Sequence, residues 1–242
     1  MKKNIIEIKS LHFLYQKEIT ALKNINLLIH EQESVALIGE NGAGKSTLLM
    51  QLNGALLPND GEITINGIPV TKKNLNKIRK NVGIVFQNPN DQLFMPTLFD
   101  DVAFGPMNMN LKKDEIKKRT LDALKIVGLE SLANRPPYHL SGGEKRRAAI
   151  ATVLSMNPEI LVMDEPSSGL DSKSRRMLIN LLNKLNQTKI IATHDLEFAL
   201  EVCKRVIILK KGEIIADGDI REILKNKKLL KEASIEPPYS LN

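Results

Sequence analysis

The chain has 242 residues, 42% of them apolar, a formal net charge of +7 and one cysteine. That length supports one large α/β domain or two small ones around a substantial core, no run of about eighteen apolar residues reads as a membrane span, and the lone Cys203 excludes an intrachain disulfide and fits a reducing cytoplasm. The positive charge suits an anionic partner such as nucleic acid or a membrane surface, yet no long unbroken basic run occurs, and lysines spread over solvated faces account for it.

Met1-Lys2-Lys3-Asn4 runs straight into Ile5-Ile6-Glu7-Ile8, which starts a strand and not a signal peptide. Alternation of Ile6 and Ile8, then Leu11, Phe13 and Tyr15, predicts a half-buried antiparallel strand over 5–15. Ile25, Leu27 and Ile29 predict another. Tyr15 is either a strand-end aromatic or a ring placed to stack on a purine.

Val35-Ala36-Leu37-Ile38 is short and apolar enough to be a buried strand. Leu48-Leu49-Met50-Gln51-Leu52 is helix-forming and is closed by Gly54. Between them lies Gly39-Glu40-Asn41-Gly42-Ala43-Gly44-Lys45-Ser46-Thr47, a G-x-x-x-x-G-K-S loop in the strand–helix context that phosphate binding requires. Glycines let backbone N–H groups curl around phosphate oxygens, and the positive end of the helix dipole faces the same anion. Lys45 then reaches the β- and γ-phosphates, and the Ser46 hydroxyl is placed to ligate Mg²⁺.

Gly61 to Ile68 carries an Asn66-Gly67 hairpin signal. Val82 to Phe86 reads as a second buried strand ending in Gln87, and Asn88 to Thr97 as a loop with a compact apolar knot at Leu93-Phe94-Met95. A mainly helical stretch runs on to about residue 155, with Ile116, Thr120, Ala123, Leu124 and Val127 on one face and Gly128 as the stop. Within it, Leu140-Ser141-Gly142-Gly143-Glu144 has capping-box spacing. It is an ordinary helix start or a second anion site with bare N–H groups; the chemistry leaves both open.

Ile160 to Met163 is a third apolar strand and delivers Asp164-Glu165 at its carboxyl end, where an open parallel sheet binds ligands. Asp164 suits the Mg²⁺ sphere through water, and Glu165 is free to polarise an attacking water. Lys189 to Thr193 is a fourth strand and ends in His194, at the same edge and within plausible reach of a γ-phosphate. A hairpin at Lys211-Gly212, a lysine-rich helix near 220–233 and an end of ordered structure at Pro237-Pro238 complete the reading.

In this order the motifs resemble the ATP-hydrolysing subunit of an ABC transporter over nearly the whole chain. The phosphate loop matches Gly39–Thr47, the glutamine loop Gln87, and the signature Leu140–Glu144. The second nucleotide motif matches Ile160–Glu165, the loop after it Ser168-Gly169-Leu170-Asp171, and the switch histidine His194. The resemblance implies a P-loop NTPase of α/β class: a mixed β-sheet core, an antiparallel β-subdomain and a helical subdomain at about 88–157, within one nucleotide-binding domain spanning 1–242. It implies ATP and Mg²⁺ as ligands, with Glu165, His194, Gln87 and Lys45 catalytic and Ser46, Gln87 and Asp164 around the metal. The nucleotide would meet Tyr15, as the adenine-stacking ring, and Gly39, Asn41, Gly42, Gly44, Lys45, Ser46 and Thr47. Ser141 and Gly143 would reach its γ-phosphate from the other subunit of a head-to-tail pair, and Gly142 and Asp171 are implied as nucleotide-binding too.

Phe86-Gln87-Asn88-Pro89 through Gln92-Leu93-Phe94, with Asp101-Val102-Ala103-Phe104-Gly105-Pro106, is similar to the energy-coupling-factor importers of cobalt, nickel or vitamins. That implies a peripheral position on the cytoplasmic face of the membrane, membrane subunits docking near Asn88–Thr97, and pairing with itself or a related ATPase. Two departures stand out: Ser172 replaces the usual proline after Gly-Leu-Asp, and the chain stops soon after its lysine-rich helix, which leans toward a cobalt or nickel system. DNA-repair and translation ATPases share the signature. The first need a long coiled-coil insertion and the second two cassettes, and neither occurs here, so no nucleic-acid partner is expected.

Overall fold

The computed structural model describes residues 3–16 and 19–241. Strands β1 (Asn4–Tyr15) and β2 (Ile19–His30) pair antiparallel. The alternation slips by one residue between Ile8 and Leu11, and the backbone absorbs the slip at Ser10, φ 46°; β2 does the same at Asn24, φ 46°, between Leu22 and Ile25. Each irregularity keeps the apolar residues on the buried face. β3 (Ser34–Ile38) leaves for a second sheet and feeds α1 (Lys45–Leu52). The chain then returns with β4 (Asp60–Ile65) and β5 (Ile68–Pro69), joined by Asn66 and Gly67 at positive φ, to give the order β2-β1-β4-β5.

After α2 (Leu75–Asn81) and β6 (Val82–Val85) come α3 (Leu98–Asn108), α4 (Lys113–Val127) and α5 (Gly142–Leu154), packed on one another. Gly128 ends α4 in the left-handed conformation, φ 70°, and the Ser141–Glu144 capping box opens α5. β7 (Ile160–Asp164), α6 (Ser172–Lys184), β8 (Thr188–Ala192), α7 (Leu196–Val202), β9 (Arg205–Lys210) and β10 (Glu213–Asp219) follow. The second sheet has the order β10-β9-β3-β8-β7-β6 and is parallel except for β10, which the Lys211-Gly212 hairpin turns back.

Both faces of this sheet are buried. Val35, Leu37, Val162 and Ile190 point toward α1 and the small sheet. Ala36, Ile38, Leu161, Met163 and Ile191 point toward the helices on the other side. Strands buried twice read as unbroken apolar runs.

The structure corrects the reading in three places. The lysine-rich stretch is two helices, α8 (Ile220–Lys225) and α9 (Lys227–Glu232), because the Asn226 side chain accepts from Leu229 N–H and starts a new helix. Order continues past Pro237-Pro238: Tyr239–Leu241 forms a 3-10 turn, with Ser240 N–H donating to Glu197 Oε1 at 3.0 Å. The apolar knot divides, since Leu93 is core whereas Phe94 is 62% exposed.

Candidate nucleotide site

The loop after β3 is shaped by close approach. A Cβ on Gly39 would lie 2.2 Å from the Leu209 carbonyl oxygen, and one on Gly44 would lie 2.5 Å from that of Ala21. Neither position admits a side chain without moving backbone. Gly44, at φ 105°, caps α1, so the N–H groups of the first helical turn open into the loop. Lys45 folds back over it, Nζ donating to the carbonyls of Gly39 at 2.6 Å and Glu40 at 2.9 Å. Burial pulls the Lys45 amine below its ordinary pKa, and the Glu165 and Asp164 carboxylates act in the opposite sense.

Those carboxylates stand at the end of β7. Burial raises the Asp164 pKa, opposed by a hydrogen bond from Ser46 and reinforced by the neighbouring Glu165. Glu165 takes a left-handed backbone angle, φ 45°, which costs a non-glycine residue on the order of 1 kcal/mol or more. Its amide donates to the Ala192 carbonyl at 2.8 Å, and the residue is 8% exposed. Oε2 accepts from Thr193 Oγ1 at 3.2 Å and from His194 N–H at 3.4 Å, and lies 2.9 Å from His194 Nδ1. The next residue is fixed too: Asp195 caps α7 through Phe198 N–H at 2.8 Å and is gripped by Arg175 at 3.0 and 3.2 Å.

A cleft of about 1130 Å³ joins these groups. Tyr15, Gly39, Asn41, Gly42, Gly44, Lys45, Ser46 and Thr47 line it, and so do Gln87, Asp164, Glu165 and His194. Tyr15 is held by its hydroxyl, 3.0 Å from Thr47 Oγ1, and by an edge-to-face contact with Phe13. Ser46, Asp164 and Gln87 supply hydroxyl, carboxylate and amide oxygens, the hard donors that Mg²⁺ takes when phosphate and water complete its shell. The residues fit that ion.

Ser141, Gly142, Gly143 and Asp171 do not line this cleft. Ser141 and Gly142 are exposed, and Ser141 Oγ is engaged locally, donating to Glu144 Oε2 at 2.8 Å. Asp171 caps α6, accepting from Ser174 N–H at 2.7 Å. A Cβ on Gly143 would lie 2.3 Å from Ser174 Oγ, so the starts of α5 and α6 are packed together.

Residues 22–168 match the ABC transporter family. The chain belongs to the ABC transporter family. This ABC ATPase is 47% identical to the energy-coupling factor transporter ATP-binding protein EcfA of Methanothermobacter thermautotrophicus, over 97% of its own length and 77% of the relative's. The structure of CbiO1 from Clostridium perfringens, described as part of the ABC transporter complex CbiONQ, is 40% identical with a TM-score of 0.85, over 96% of this chain and 94% of that one. A dimeric post-hydrolysis structure of the ATP-binding cassette MJ0796, bound to ADP and Pi, is 35% identical with a TM-score of 0.78, over 89% and 98%. The chain is thus an ATPase subunit of energy-coupling-factor type, with the ABC ATPase fold.

Sequence reasoning missed part of the wall. Ile19, Thr20 and Ala21 from β2 and Ser234, Ile235 and Glu236 from beyond α9 also line the cleft. The tail residues carry no local signal, because only the folded path of the chain brings them there. Thr193, which holds Glu165, had one: a hydroxyl between an apolar strand and His194.

Proposed function

We propose that the chain is the motor of an energy-coupling-factor importer that takes up a transition-metal ion, cobalt or nickel, or a vitamin. In this reading ATP lies in the cleft with its base on Tyr15 and its phosphates over the N–H groups of Gly39–Thr47. Lys45 meets the β- and γ-phosphates. Ser46, Gln87 and Asp164 would hold Mg²⁺, which when bound neutralises phosphate charge. Glu165, oriented by Thr193 and His194, accepts the proton of the attacking water, and His194 contacts the γ-phosphate. The observation that carries the reading is the division of the motif residues: those of one nucleotide site line the cleft, while the Ser141–Gly143 helix start faces outward. A second subunit, the same or related, would complete each site from that face.

The membrane partner is proposed to dock near Asn88–Thr97, with a revised residue set. Leu93 drops out as core. Phe94 packs edge-to-face on Phe104, which is 42% exposed, and Met107 is 55% exposed on the same helix α3. Asp101 Oδ1 accepts from Phe94 N–H at 2.9 Å and Met95 N–H at 3.0 Å, so the loop backbone is pinned from below while Phe94 stays exposed. Adaptable apolar groups on a helix and an adjoining loop suit a short docking helix. Among the described residues no helix is long and apolar enough to cross a membrane, so the transport path would belong to such partners.

The test is affinity purification of the tagged chain from its native membranes in mild detergent. Integral membrane proteins should come with it, and Phe94→Asp should lose them while still binding ATP. Absence of any integral protein with the wild-type chain would overturn the reading. Retention by a folded Phe94→Asp variant would move the docking surface elsewhere.

A further inference from the structure

Arg146, on the second turn of α5, is 4% exposed. Buried guanidinium groups are ordinarily paired with carboxylates. This one instead donates Nη1 to the Phe86 carbonyl at 3.0 Å and Nη2 to the Ser168 carbonyl at 3.4 Å, and its Nε finds no acceptor among the described residues. Phe86 is the residue before Gln87, and Ser168 lies in the loop between Glu165 and Asp171. One side chain of α5 therefore touches both loops that flank the catalytic groups. Burial lowers its pKa, and the Glu165 charge acts in the opposite sense.

A second side chain holds the same residue through its N–H. Gln92 Oε1 accepts from Phe86 N–H at 3.2 Å, and its Nε2 donates to the Ala149 carbonyl at 3.0 Å and Thr152 Oγ1 at 2.8 Å. Both backbone polar groups of Phe86 thus end on α5, directly or through one side chain. β6 stops at Val85, so from Phe86 onward the chain is carried by the helix and not by the sheet. The same helix begins with Gly142 and is capped by Ser141.

We propose that buried Arg146 and half-buried Gln92 form a polar clamp through which α5, Gln87 and the 165–171 loop shift together, with Arg146 the positioning residue for Gln87. This rests on reading the cleft as the ATP site. Engagement of the Ser141–Gly143 helix start then changes where Gln87 stands at the cleft without Arg146 touching nucleotide. Lysine cannot replace it, since one ammonium on a flexible stem lacks the planar fork that spans two fixed carbonyls.

The test compares wild type with Arg146→Met, Arg146→Lys and Gln92→Met. Amide exchange of nucleotide-free protein is the first readout. Arg146→Met should speed exchange at Phe86–Asn88 and at Ser168–Asp171 together, whereas Gln92→Met should affect 86–88 alone. Exchange in the central strands β3 and β7 should hold, which general destabilisation would not allow. For the second readout, ATP affinity of the isolated chain should move by less than about twofold while kcat falls by about tenfold or more, the split expected when positioning and not binding is lost. Arg146→Lys should recover no more than part of kcat.

Unchanged exchange at both loops, or an unchanged kcat in folded Arg146→Met, overturns the proposal. If Arg146→Met does not fold, Arg146→Lys must show the faster exchange at Ser168–Asp171, and its failure to do so is equally decisive. A wild-type chain that does not bind ATP would sink the cleft assignment, yet the exchange pattern would still report on the clamp.

Discussion

Glu165 combines a left-handed backbone angle, burial and contacts to Thr193 and His194 that all fall on one oxygen, Oε2. Strain of this kind persists where neighbours over-determine it, and such places concentrate at sites of function. In the proposed mechanism Glu165 takes the water's proton, so Glu165→Gln removes the basic oxygen while keeping shape. Turnover should fall about 10²–10⁴-fold, the usual contribution of a positioned general base, with ATP affinity nearly unchanged. Lys45→Ala should do the reverse first, weakening ATP binding by about tenfold or more as a charge-assisted contact to phosphate is lost. Nucleotide fluorescence titration and steady-state hydrolysis separate the two. Near wild-type hydrolysis by Glu165→Gln would remove Glu165 from the role of base.

At the scale of elements, the segment leaving β8 is fixed by ion pairs as much as by packing. Arg175 on α6 holds Asp195 below the ordinary carboxylate range, against the opposing effect of burial, and also reaches Glu201 at 3.2 Å, where Arg176 joins it. A depressed carboxylate adds stability that is present above its unfolded pKa of about 4 and is lost as pH falls through the folded value. Asp195→Asn should therefore lower the urea midpoint by a constant amount from about pH 8 to pH 5, and the gap should close below about pH 4. A gap that widens toward acid would refute the pairing as a source of stability. How far such elements were legible depends on where their signals lay. Every strand that bears a motif announced itself by an apolar run or alternation, and even the bulge at Ser10 was written as the slipped spacing between Ile8 and Leu11. α6 was not anticipated, although Asp171 is a good cap and Leu178, Ile179, Leu181 and Leu182 give it a buried face. Ser172 is its first residue, the position where a proline is also accepted, so that departure has a structural explanation. The break at Asn226 and the tail beside the cleft were illegible, since one depends on a single side-chain cap and the other on contacts distant in sequence. The roles of Arg146 and Gln92 were hidden for the second reason: neither acceptor of Arg146 is near it in the chain.

For the molecule as a whole, the decisive feature is that one chain presents the glycine-rich 39–47 loop, proposed to hold phosphate, inside its cleft and a second glycine-bearing helix start outside it. The α5 start is organised for exposure: the capping box satisfies Ser141 and Glu144 against each other, leaving Ser141 and Gly142 at the surface. This surface does not line its own cleft, and Gly143 packs too closely on Ser174 at the start of α6 to admit a Cβ. A two-fold axis offers a closed alternative, in which each copy's helix start meets the other's phosphate loop and two equivalent sites form. ATP would then be part of the interface, and pairing would depend on it by mass action. With Glu165→Gln slowing hydrolysis, light scattering in Mg-ATP should give about twice the 27.1 kDa of one chain, and close to 27.1 kDa without nucleotide. Ser141→Arg in the same background should stay at the single-chain mass while still binding ATP in its own cleft, since only the face presented to the partner is changed. A single-chain mass at saturating Mg-ATP and tens of micromolar protein would exclude self-pairing and direct the search to a related ATPase as partner.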